Sequence, residues 1–252
     1  LNSNFAHRHI AASINLVPLN EKIMAQLYGA YDSDNKCWIT DIKQGDSYCM
    51  KVGKSIYDSN SHQYNFLAAG SAYDKSANKL IEAHAFSGLI EVFVIKEKLG
   101  SISVASAGKG YISGSFGKPE EDWDLKKVGE NTWGWIIPHK VSMRDYQEDY
   151  YRILIPSGKE FTESMVMSGI MRFDIANECS YDCEPIATII SSKISFDASK
   201  SKNGIYDAIL TIDSSEPDVH LKGTSIRYKS EGTGYKEPLD SVLLNIKSKP
   251  DT

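Results

Sequence analysis

The chain has 252 residues, of which 41% are apolar and 24% charged, with a net charge of -5. That length suits one large β domain or two smaller ones, with a core that needs cross-links only as a supplement. The absence of any long Lys/Arg run argues against a nucleic-acid partner or an anionic membrane surface, and no apolar stretch approaches the roughly 20 residues of a spanning helix.

The chain opens on Leu1 without an initiator Met, as a mature exported protein would. His7 and His9 form a His-x-His pair near this end, but no third metal ligand accompanies them. Residues 19–28 read as a helix, with Ile23, Met24 and Leu27 on one face, Asn20 as N-cap and Gly29 as stop. Asp32-x-Asp34 resembles the start of a calcium loop. It then fails, because Lys36, Cys37 and Lys43 stand where a ligand, the turn glycine and the bidentate Glu belong.

From residue 37 onward the recurring signal is β. Cys37 and Cys49 bracket a polar hairpin whose turn falls at residues 44–46. Short runs rich in β-branched and aromatic residues follow at 48–57, 64–73, 89–96, 102–107, 111–116, 132–137, 150–155, 186–196, 206–212, 224–229 and 241–246. Residues 159–167 read as a second helix, and 143–150 fit neither pattern clearly. In the run 205–212, Tyr206, Ala208, Leu210 and Ile212 share one apolar face that should meet a core. Asn203-Gly204 before it is a hairpin-turn signal, with a loop expected to exceed two residues. No βαβ alternation is present, so the predicted class is mainly β: an antiparallel sandwich, or two packed lobes over 1–140 and 141–252, with one to three short helices.

The four cysteines form two close pairs, Cys37 with Cys49 and Cys179 with Cys183. Two local disulfides fit the even count and the spacing, and they imply an oxidising, periplasmic or secreted location. Free buried thiols and a zinc site are the alternatives. Zinc fits worse, because an eleven-residue gap departs from the usual ligand spacing.

Motifs for catalysis fail on context. Gly53-Lys54-Ser55 has the tail of a phosphate loop without its first glycine. Three Ser-x-x-Lys matches, at Ser76, Ser106 and Ser199, lack the partner motifs of a penicillin-binding site. Glu82 and His84 fall on one face of a strand-like run, an arrangement capable of acid–base work. A hydrolase with a dispersed site around His84 or His139 is therefore the runner-up. No metal or cofactor is expected.

Eight aromatic residues crowd the stretch 111–151, among them Phe116, Trp123, Trp133, Trp135, Tyr146, Tyr150 and Tyr151. Trp133 and Trp135 point to the same face of a strand, and Gly134 leaves the other face open for a neighbour. Trp123 lies among Glu120, Glu121, Asp122 and Asp124, which should hold it near the surface. The cluster reads either as sheet core or as a recognition surface built on Trp123, Trp133, Trp135, Tyr146 and Tyr150.

The segments Glu82-Ala83-His84-Ala85-Phe86-Ser87-Gly88-Leu89, Ser113-Gly114-Ser115-Phe116-Gly117, Asn131-Thr132-Trp133-Gly134-Trp135 and Asp149-Tyr150-Tyr151-Arg152-Ile153 resemble exported proteins of Gram-negative bacteria with no assigned activity. The likeness implies export and a β-rich fold, and it brings no catalytic residues. The expectation from sequence is thus a non-enzymatic exported protein that binds a protein, peptide or cell-envelope glycan through an aromatic surface. An inhibitor or immunity-type role is a further alternative.

Overall fold

A computed structural model describes residues 16–42, 45–142, 146–173, 187–214, 221–238, 241 and 243. These residues form fifteen β-strands and a single α-helix of more than one turn, so the mainly β expectation holds. The chain divides into two compact units, Leu1–Pro119 and Glu120–Thr252, earlier than the expected division near 140.

In the first unit, helix α1 (Leu16–Tyr28) covers an antiparallel sheet. The sheet runs β1 (Tyr31–Asp32), β2 (Cys37–Asp41), β3 (Ser47–Asp58), β4 (Gln63–Asp74), β6 (Gly88–Lys98) and β7 (Ser101–Ser113) in order, with the short β5 (Lys79–Leu80) paired to the end of β4. Ile23 and Met24 of α1 are fully buried against Trp38, Met50, Phe66 and Phe93, which are contributed by successive strands. Gly29, at φ 87°, ends the helix as expected. The predicted hairpin between the cysteines is present: Gly45 donates to the Ile42 carbonyl at 3.0 Å, and Cys37 and Cys49 form a disulfide between β2 and β3. Cys179 and Cys183 lie outside the described residues.

The second unit contains β8 (Asp124–Gly129), β9 (Thr132–Ser142), β10 (Tyr146–Ser157), β11 (Glu160–Phe173), β12 (Ala187–Lys202) and β13 (Ile205–Ser214). Each pairs antiparallel with the next, and β13 returns to β8, closing a six-stranded barrel. The closure is a close backbone approach at Gly129, where an added Cβ would lie 2.3 Å from the Gly204 carbonyl oxygen. Every strand of the ring supplies the interior: Val128, Ile136, Ile153, Val166, Ile194 and Leu210 belong to one buried cluster. Of the predicted inward face of β13, Ala208, Leu210 and Ile212 are fully buried and Tyr206 is half-buried, while Ile205, expected on the opposite face, joins the buried cluster. Strands β14 (Ser225–Ser230) and β15 (Tyr235–Lys236) extend the sheet beyond β13.

Several sequence expectations are corrected. Residues 159–167 are not helical: Ser157 pairs with Glu160 across a two-residue turn with Gly158 at φ 62°, and β11 runs straight from it. A glycine with positive φ at the first turn position is the hairpin signal that outweighed the helical spacing there. The loop before β13 is also shorter than expected. β12 continues to Lys202, which pairs with Ile205 across Asn203 and Gly204 (φ 52° and 78°), while a register shift between Asp197 and Ser201 absorbs the extra residues. Residues 102–107 and 111–113 belong to the single long strand β7. Within 241–246, Leu243 has helical rather than strand conformation.

Candidate functional site

The described aromatic side chains singled out from the sequence differ in accessibility. Trp135 is 1% exposed, between its cross-strand neighbours Leu125 and Leu154. Trp133 is partly buried on the same strand, and Val128 fills the space over Gly134. Tyr150 packs against the barrel interior and donates its hydroxyl to Glu148. Trp123 is half-buried just before β8, with exposed Glu121, Asp122 and Asp124 around it. The Tyr146 side chain lies outside the described structure.

The two histidines are placed differently from the expectation for an acid–base site. His84 sits in an exposed turn rather than a strand. Its ring meets Phe116 edge-on at 5.0 Å, while the Glu82 carboxylate pairs with Lys118 at 3.2 Å. The Glu82–His84 pairing is therefore not formed. His139 is half-buried on β9, and burial, followed by the nearby Arg152, pushes its pKa down and favours the neutral ring. Arg152 pairs through Nε with Glu163 at 2.7 Å.

The exposed large hydrophobic residues gather elsewhere. All eight among the described residues belong to the first unit, including Phe86 (41%) and Phe116 (53%). Phe116 sits at the tip of a tight turn, with Lys118 N–H donating to the Ser115 carbonyl at 3.0 Å. Its φ is 53° and that of Gly117 is 73°, a pair of positive values that defines a type I′ turn. A bulky residue rarely adopts this backbone, which favours Asn or Gly.

Backbone hydrogen bonds hold the turn in place. The Ala72 N–H donates to the Gly117 carbonyl, and the Gly117 N–H donates to the Phe86 carbonyl, each at 2.7 Å. Gly117 is required here, since a Cβ would lie 1.8 Å from the Ile81 carbonyl oxygen. Ile81 in turn donates to Ala72 at 2.9 Å. The segment between β5 and β6 is thus strapped to the end of β4, and Phe86, His84 and Phe116 stand together on a fixed frame.

Beside this frame lies a cleft of about 330 Å³. Tyr48, Ala72, Ile81 and Phe86 form its apolar lining, and Ser47, Asp74 and Lys75 contribute polar groups. Lys75 Nζ pairs with Asp41 at 2.6 Å, and Ser47 Oγ donates to the same carboxylate at 2.7 Å. These two hydrogen bonds hold the Asp41 carboxyl below its usual range. Asp74 is likewise held low, by the Ser76 hydroxyl first and then by the backbone N–H groups of Ala77 and Ser76. An apolar floor with a few fixed polar groups suits capture of one side chain or one sugar ring.

Phe86 and Phe116 were in view in the sequence, but not as a site. The signal that marks them is the turn composition Gly114-Ser115-Phe116-Gly117-Lys118-Pro119, which ends the apparent strand and lifts Phe116 out of it. No protein-family model, curated protein or solved structure matches the chain, so function is read from its own residues.

Proposed function

We propose that the protein is a non-enzymatic, exported binding protein, periplasmic or secreted, that engages a protein, peptide or cell-envelope glycan through Phe86, Phe116, His84 and the adjoining cleft. The observation that carries this reading is Phe116, an exposed aromatic ring held on a positive-φ backbone. A left-handed conformation costs a non-glycine residue about 1–3 kcal/mol. Such a cost can be kept where a side chain makes contacts outside the fold, and rigid aromatic side chains are the usual anchors of interfaces. The Cys37–Cys49 disulfide supports an oxidising compartment.

The test is Phe116→Asn. Asparagine accepts the I′ turn, so this variant should be as stable as the parent or more stable, by about 1 kcal/mol. It should nevertheless lose partner capture. Capture is read by photo-crosslinking from p-benzoylphenylalanine at position 86 against cell-envelope proteins, and by co-sedimentation with isolated cell-wall glycan. Equal capture by parent and variant in both assays would refute the proposed surface.

A further inference from the structure

We propose that Glu91 is a proton-sensitive latch for helix α1, closing the helix onto the sheet when protonated and easing its release when ionised. Glu91 lies on β6 at two-residue spacing from Leu89 and Phe93, on the face that α1 covers. It is only 5% exposed. Tyr28, the last residue of α1, donates its hydroxyl to Glu91 Oε2 at 2.7 Å. From β7, the Gly110 N–H bonds to the carboxylate and the Lys109 ammonium attracts it. Across β4 the facing residue is Ala68, which carries no charge.

These partners do not offset the loss of water. Burial holds the Glu91 carboxyl above its ordinary value of 4.5, against the opposing effects of Tyr28, Lys109 and Gly110. The C-terminal end of a helix carries partial negative charge, which also disfavours a carboxylate beneath it. Burial, and then Glu91 itself, likewise raise the Tyr28 phenol, so Tyr28 remains a donor.

The sign follows from linkage. The pKa is higher with the helix docked than with Glu91 open to water, so docking binds protons. Its contribution is complete below about pH 4.5, the open-state value. It declines as pH rises through the docked value, and is flat above that. The effect is local because α1 has only 13 residues, too few to persist undocked. Among the described side chains, its other ties are the buried Ile23 and Met24, the partly buried Leu19 and Leu27, and two exposed side-chain bonds, Lys22 to the Gly100 carbonyl and Gln26 to the Ile102 carbonyl at 3.3 Å. Short elements with few anchors open independently of the whole fold.

Amide hydrogen exchange of α1, corrected for intrinsic rates and referenced to β4 amides, tests this on the intact chain. Relative protection should fall as pH rises, by up to about tenfold per pH unit within the window, the slope of one linked proton. Glu91→Gln keeps an acceptor for Tyr28 and should abolish the slope. Lys109→Met removes a group that favours the ionised form, so it should move the window to higher pH without removing it. Protection of α1 that is independent of pH in the parent, a slope that survives Glu91→Gln, or a window unmoved by Lys109→Met would each overturn the latch.

Discussion

Replacing Trp135 by Ala should cost far more stability than replacing Trp123. Trp135 is among the largest fully buried side chains, at 1% exposure, and its cross-strand neighbours Leu125 and Leu154 are buried as well. Emptying a site of that size costs about 3–5 kcal/mol, the sum of lost burial and an unfilled cavity. In a chain of this length the loss corresponds to a fall in melting temperature of roughly 6–20 °C. Trp123 is only half-buried and has exposed acidic neighbours, so Trp123→Ala should cost about 1 kcal/mol or less. A third variant separates packing from polarity. Trp135 Nε1 is buried without a hydrogen-bond partner among the described residues. Trp135→Phe removes that donor, whose burial carries a penalty of about 1–3 kcal/mol, and so should recover most of what Ala loses. Urea titration followed by circular dichroism gives all three values, read on the transition that the Trp135 variants move. A Trp135→Ala cost below about 1 kcal/mol, or one matched by Trp123→Ala, would refute the assignment of these two residues to core and margin.

Two further outcomes are expected. Cys37 and Cys49 close a loop with a sequence separation of 12, so the Cys37→Ala/Cys49→Ala protein should be less stable by about 3 kcal/mol; a urea midpoint equal to that of the oxidised parent would contradict this. Leu99 is 97% exposed at the first position of a second I′ turn, with φ values of 51° at Leu99 and 77° at Gly100. Leu99→Asn should therefore stabilise the chain by about 1 kcal/mol, and a fall in melting temperature would show that the leucine side chain supports the fold.

What was legible in the sequence follows from period and turn chemistry. The alternation in 205–212 and the amphipathic spacing of 19–28 report burial directly, and both elements formed with the predicted faces inward. Residues 159–167 misled because Phe161, Met165 and Val166 satisfy a helical spacing as well as a strand beside a barrel interior. The two-residue turn at Gly158 and Lys159 was the better guide. The barrel was not legible, because closure depends on β13 reaching β8, strands separated by more than seventy residues. Candidate site residues suffered from the same limit. Aromatic density marked 111–151, but density does not distinguish Trp135, which is buried beside Leu125 and Leu154, from Phe116, which a turn lifts into solvent. Burial of Glu91 was hidden for a related reason: a carboxylate within an apolar strand reads as an outward-facing residue until a helix is known to cover that face.

Phe116 and Leu99 offer a matched comparison that tests whether the strain at position 116 is kept for recognition. Both occupy the first central position of an I′ turn, both are followed by glycine, and both are exposed. Their surroundings differ. Leu99 projects from a hairpin tip whose Gly100 carbonyl accepts only the flexible Lys22 side chain among the described residues. Phe116 meets the His84 ring edge-on, and its turn is fixed by backbone hydrogen bonds to Ala72 and Phe86 beside a cleft. A tip held by one flexible side chain gives a partner a costly surface to order, whereas a ring on a fixed frame is already in its bound geometry. If the unfavourable backbone at position 116 reflects recognition, then asparagine should relieve strain equally at both turns but end partner capture at only one of them.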